Sequence, residues 1–174
     1  MVMARVLLHH FDVAGLSTRE ILLRANEILK ANTEPFIFMS MLLLKWESDA
    51  NRLTYTGAGH ENLLIYRMAE REVEVVPAGG VVLGIKDNLE QFLHEKEIEL
   101  EHGDSLLLYT DGCTEAQDPE GRMFDLDNLA RCFGRLAHLG VAEVVEGIIG
   151  ELQSFMGDAE QADDITMTVL KRSI

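Results

Sequence analysis

"LLLYTDGCTEAQDPEGRMFD", residues 106–125, passes from wholly apolar sequence to acid and glycine within a few positions. Residues 106–109 read as a buried strand, and the strand stops at Asp111-Gly112. A strand end is a rigid place from which to aim a side chain into a cleft. Asp-Gly also suits an ordinary surface turn, so this stretch alone leaves function and plain loop evenly matched.

The remaining composition narrows the choice. A chain of 174 residues fits a single domain over residues 1–174, with room for a sizeable core. Apolar residues make up 47%, which excludes a disordered chain. The formal net charge of −15 repels phosphate backbones and argues against nucleic acid as a partner. The same carboxylates can serve solvation or supply oxygen ligands to hard cations. The two cysteines, Cys113 and Cys132, form no CxxC pattern, and a packed thiol is the expected role of Cys113. No apolar run approaches the roughly twenty residues of a membrane span. The opening "MVMARVLLHHF" lacks a small-residue cleavage site. The expectation is a cytoplasmic protein without membrane association.

Along the chain, residues 1–11 carry apolar positions at helical spacing. Ser17 and Glu20 form a capping box, and Ile21, Leu22, Ala25, Ile28 and Leu29 continue a helix to about Asn32. "FIFMSMLLLKW" (36–46) reads as a central strand buried on both faces. "SDAN" (48–51) reads as a turn, followed by strands in "RLTYTGAG", "ENLLIYR" and "EVEVVP". "LEQFLHEKEIEL" (89–100) reads as another strand. "HGD" turns the chain into "SLLLYT". Residues 126–136 and 141–156 read as helices, and "DITMTVLKR" as a last strand. Short turns between strands imply antiparallel sheets, and grouped helices imply layers against them.

A second acidic site lies about fifty residues after the first. "QADDITMTVL" places Asp163 and Asp164 at the mouth of the final strand. Two acidic strand ends that converge repel each other unless a cation neutralises them. Oxygen ligands suit Mg²⁺ or Mn²⁺, and no His/Cys spacing favours zinc. The plain alternative is that Asp163 and Asp164 cap a turn.

Taken in order, "LTYTGAGHENLLIYR", "EHGDSLLLYTDGCTEAQDPEGRMFD" and "ADDITMTVLKR" resemble the SpoIIE-like branch of the PPM metal-dependent protein phosphatases. The likeness runs from about Ser17 to Arg172. It implies an α+β fold, an αββα sandwich of two antiparallel sheets flanked by helices. It implies hydrolysis of phosphoserine or phosphothreonine with two Mn²⁺ or Mg²⁺ ions, the chemistry resting on the metal ligands and on no separate catalytic side chain. Asp111 matches one metal-binding aspartate and Asp163 another. Asp164 follows behind the ligands, and Gly112 lets the backbone turn beside the ions. The family's first Asp-Gly strand pair, whose aspartate bridges both metals, has no match here, so the expected fold is N-terminally truncated. The expected activity is weak or absent in this polypeptide. The alternative is a non-catalytic regulatory module of the same fold that binds a protein partner. The substrate the likeness implies is a phosphoprotein of the anti-sigma-factor antagonist class.

Weaker candidates complete the reading. His60 in the glycine hairpin is either a proton donor near the cleft or a structural hydrogen-bonding residue. Arg122 meets either a substrate phosphate or a loop carboxylate. Gly57 and Gly59 are assigned to the hairpin turn, and Glu115 and Asp118 to a solvated loop in preference to holding outer waters beside Asp111. His9-His10 point in different directions on a helix and are set aside. Apolar surface and an open strand edge left by the truncation predict a homodimer built around residues 1–32 and that edge.

Overall fold

The computed structural model describes residues 15–34, 37–47 and 52–173. The chain forms two compact units, one drawn from Met1–His60 and Ala78–Glu99, the other from Glu61–Pro77 and Leu100–Ile174. The expected helix over 1–11 and the turn at 48–51 lie outside the described residues.

In the first unit, helix α1 spans Thr18–Asn32. Its capping box is present: the Glu20 N–H donates to Ser17 Oγ (3.2 Å), and the Ser17 N–H donates to Glu20 Oε2 (2.9 Å). These bonds satisfy two N–H groups that the first turn leaves without helical partners. Strands β1 (Met41–Glu47), β2 (Arg52–Ala58) and β5 (Lys96–Glu99) form an antiparallel sheet in the order β1-β2-β5. Leu22 of α1 packs with Ala58, Leu83, Leu89 and Leu93 in this unit's core.

Two strand expectations need correction here. The stretch over 36–46 is not a central strand buried on both faces. β1 begins only at Met41 and lies at the sheet edge among the described residues, and Phe38 before it is 64% exposed. Apolar content alone does not separate a central strand from an edge strand that lacks a neighbour on one side. The 89–100 segment is also not one strand. Leu89 accepts from the N–H groups of Phe92 (2.9 Å) and Leu93 (3.0 Å), a helical turn, and only Lys96–Glu99 is extended. Leu89 and Leu93 stand four residues apart, so one helical turn brings both into the core.

In the second unit, strands β3 (Leu63–Arg67), β4 (Glu72–Val76), β6 (Ser105–Tyr109) and β7 (Met167–Lys171) form an antiparallel sheet in the order β4-β3-β6-β7. A short helix, α2 (Asp111–Thr114), follows β6 where the sequence reading has only a loop. Helices α3 (Asp125–Leu136) and α4 (Val141–Met156) lie against the sheet. Their buried faces supply Leu129, Phe133, Val144, Ile148 and Leu152, which pack on Leu64, Tyr66, Leu107 and Tyr109 of β3 and β6. Alternate residues along each strand meet the helices, as the two-residue period requires.

Asp104 anchors the start of β6. It is 2% exposed, and its carboxylate accepts from Arg67 Nη1 (3.0 Å) and from the N–H groups of Met68 (2.9 Å) and Glu101 (3.0 Å). Burial pushes this carboxyl up, but the three donors and the Arg67 charge outweigh burial and hold its pKa below the ordinary aspartate value.

Candidate metal centre

β6 and β7 run antiparallel, with Tyr109 paired to Met167. The exit of β6 and the approach to β7 therefore lie at the same end of the sheet. That topology brings the Asp111 and Asp163-Asp164 segments together across about fifty residues of chain.

Thr110 holds the two segments in place. Its N–H donates to the Thr166 carbonyl (3.0 Å). Its hydroxyl donates to the Asp164 carbonyl (3.0 Å) and accepts from the Thr166 N–H (3.0 Å). Gly112 then lies against the Asp164 backbone. A Cβ added at Gly112 would stand 2.5 Å from the Asp164 carbonyl oxygen, closer than real side chains come. The glycine is needed because a second backbone approaches it closely, a reason the sequence reading, which assigned Gly112 to a tight turn, did not contain.

Both candidate ligands are exposed, and each has one oxygen turned back on the following residue. Asp111 Oδ1 accepts from the Gly112 N–H (3.0 Å), and Asp163 Oδ1 from the Asp164 N–H (2.7 Å). Gln161 Nε2 donates to the Asp163 carbonyl (2.7 Å) and ties the segment before it. Behind Asp111, Cys113 is fully buried, and burial pushes its thiol up to about 11. A neutral packed thiol is a poor nucleophile. Burial likewise raises the Tyr109 phenol, with Glu61 and Cys113 adding to it.

The donors at this end of the sheet are carboxylate oxygens, which suit Mg²⁺ or Mn²⁺ rather than Zn²⁺. Among the described residues, no three His, Cys, Asp or Glu side chains gather as a metal-holding group. Asp111 and Asp163 therefore offer oxygen donors of the kind such ions take, and among the described residues they are not part of a gathered ligand set.

The weaker candidates fall elsewhere. Arg122 pairs with Asp118 (2.6 Å) and Glu120 (3.1 Å). Asp118 is buried, not a solvated loop residue: its carboxylate also accepts from the N–H groups of Arg122 (2.8 Å) and Glu120 (3.0 Å) and shapes the 117–123 loop. Glu115 is exposed at the end of α2. His60 lies in the first unit, where its Nδ1 is 3.4 Å from Ser40 Oγ. Gly57 belongs to β2 rather than to a turn, and a Cβ on it would stand 2.5 Å from the Ala78 carbonyl. Gly59, just past β2, has φ +66°. Sequence reasoning missed Thr110 and Gln161. The available signal was a threonine directly before Asp-Gly at a strand end, where its hydroxyl can bridge to a neighbouring segment.

Comparison with known proteins bears on the family and the fold. The family model of stage II sporulation protein E (SpoIIE) matches residues 1–173. The phosphoserine phosphatase RsbU of Bacillus subtilis (strain 168) is 25% identical over all 174 residues. The chain spans 51% of that relative's length. The SiaA-PP2C domain of Pseudomonas aeruginosa superposes with a TM-score of 0.85 at 20% identity, over 99% of this chain and 67% of that one. The manganese-presoaked phosphatase domain of SpoIIE from Bacillus subtilis gives 0.63 at 18% identity, over 98% and 73%. These likenesses carry the fold: two antiparallel sheets with their helices, as in PP2C-type phosphatase domains. With the family match running over nearly its whole length, this chain belongs to the SpoIIE family of PPM-type phosphatase domains.

Proposed function

We propose that this chain is a metal-dependent protein serine/threonine phosphatase domain whose own turnover, as a 174-residue polypeptide, is weak or absent. Its substrate is a regulatory phosphoprotein of the anti-sigma-factor antagonist class that the family likeness implies. The observation that carries the reading is the Gly112–Asp164 backbone approach, which brings Asp111 and Asp163 to one end of the sheet. Asp111 and Asp163 would hold Mn²⁺ or Mg²⁺, and the bound ion would supply electrostatic stabilisation of a phosphoryl group and an activated water. Gly112 admits the neighbouring backbone, and Thr110 and Gln161 fix both ligand segments. Asp164 stands behind the ligands as a support. His60 and Arg122 remain the weaker cleft candidates.

A second reading is favoured by one observation, the lack of a third gathered ligand among the described residues. On it, the chain is a regulatory module that keeps the fold and binds a protein partner. Both readings place the domain in the cytoplasm as a homodimer. Two free, buried cysteines accord with a reducing compartment, and no helix among the described residues is long and apolar enough to cross a membrane.

Paramagnetic broadening on adding Mn²⁺ tests the metal site without relying on turnover. The amide signals of Gly112, Asp163 and Asp164 should broaden first, and Asp111→Asn should abolish that selectivity. Hydrolysis of a phosphoserine peptide by the 174-residue chain should be negligible even with Mn²⁺. Robust turnover that Asp111→Asn removes would show the ligand set to be sufficient. Broadening spread evenly over surface carboxylates would sink the metal site and leave the binding-module reading.

A further inference from the structure

The segment that carries Asp163 also forms one wall of a groove. Residues Gln161 and Ile165 face Ile149, Leu152, Gln153 and Met156 of α4 across a cavity of about 190 Å³. Leu152 and Met156 are buried, Ile149 is exposed, and the two glutamines are exposed. This volume is well below the roughly 300–1,000 Å³ of small-molecule sites. It exceeds the roughly 150 Å³ of an engineered apolar cavity that takes benzene. The space suits one aliphatic side chain of a larger partner.

The surrounding charge says what stands beside that side chain. Asp158, Glu160, Asp163 and Asp164 are all exposed, and no Lys or Arg occurs between Arg135 and Lys171. An acidic margin beside an apolar slot favours a basic neighbour and disfavours an acidic one. The slot and the candidate metal centre draw on one segment of chain, since Ile165 directly follows Asp163-Asp164 and Gln161 donates to the Asp163 carbonyl.

We propose that this groove docks a basic-aliphatic segment of the phosphoprotein substrate, one aliphatic side chain entering between Ile149 and Ile165 with Lys or Arg beside it. The proposal rests on the phosphatase reading and adds to it a recognition site away from the phosphoryl group. Such a site would let the domain choose among phosphoproteins by sequence near the phosphoserine, a choice the ion itself cannot make.

The test uses the whole 174-residue chain and an unphosphorylated synthetic peptide with one leucine between lysines, followed by NMR. Resonances of Ile149, Leu152 and Ile165 should shift. Replacing the flanking lysines by glutamates, or the leucine by alanine, should weaken binding by about tenfold or more. Ile149→Asn, at an exposed helix position, should weaken it similarly while leaving the melting temperature close to that of the parent. Added salt should also weaken it. Absence of shifts up to millimolar peptide, shifts confined to another face, or indifference to both flanking charge and Ile149→Asn would overturn the proposal. The peptide has no phosphate, so docking is read independently of turnover. Peptide binding with no Mn²⁺-dependent broadening at Gly112 would defeat the phosphatase reading alone.

Discussion

At the scale of single residues, two positions with no visible chemistry hold the candidate site in place. Gly112 has no room for a side chain without a shift, because the Asp164 carbonyl oxygen lies 2.5 Å from where its Cβ would stand. Gly112→Ala must therefore push two backbones apart. The expected loss of stability is about 1–3 kcal/mol, the range of overpacked interiors, and it should appear in urea unfolding together with loss of selective Mn²⁺ broadening. Asp104 acts at the other end of β6. Its folded-state pKa is lowered, so its ionised form adds stability that is fully present above the unfolded value of about 3.9. That contribution is lost as pH falls through the lower folded value. Asp104→Asn should cost about 1–3 kcal/mol at neutral pH, since it weakens the Arg67 pair and mismatches the backbone donors. The gap between parent and variant should close below about pH 4. A gap that stays constant to low pH in denaturation curves would mean the carboxylate charge contributes nothing.

At the scale of elements, what was legible in the sequence is what local chemistry decides. The Ser17/Glu20 box marks the start of α1, and the helix ends at Asn32 where the apolar period does. Helices α3 and α4 follow from the same kind of signal, and Asp111 at the exit of β6 from the abrupt stop of an apolar run. What was not legible depends on neighbours. Nothing in "FIFMSMLLLKW" says that β1 lies at the sheet edge among the described residues, and nothing in "LEQFLHEKEIEL" says that Leu89 and Leu93 are needed by one core on one helical turn. The role of Gly112 was equally hidden, because its contact is with a residue about fifty positions away. Local chemistry also leaves room for improvement. Gly150 lies inside α4 at an exposed position where an added Cβ meets nothing within 4 Å. Gly150→Ala should stabilise the protein by about 0.5–1 kcal/mol through helix propensity alone. Thermal or urea melts of the pair would register it, and a neutral or destabilising result would mean that α4 needs the glycine for something the chain alone does not show.

At the scale of the whole molecule, the question is whether a chain of net charge −15 associates with itself. The two edges of the β4-β3-β6-β7 sheet answer it differently. β4 presents Glu72 and Glu74, both exposed, and like charges facing each other oppose edge pairing. β7, "MTVLK", has no acidic residue or proline, and among the described residues it has a strand on one side only. Leu170 on it is 42% exposed, with Thr168 exposed beside it. An edge of this kind offers free N–H and C=O groups and some apolar area. A two-fold pairing of β7 with its copy would satisfy both and close on itself. The net charge acts against this over long range, but physiological salt cuts the reach of exposed charges to about 8 Å. The expectation is a homodimer at micromolar concentration that tightens as salt is raised, the opposite of the salt response expected for peptide docking in the α4 groove. Leu170→Lys should give a monomer with the fold retained, because the change is at an exposed edge position. Sedimentation velocity across a salt series decides the matter. A parent chain that sediments as a monomer at every salt concentration, with a cooperative melt, would show that β7 is not the contact and that the sheet is content with its open edge.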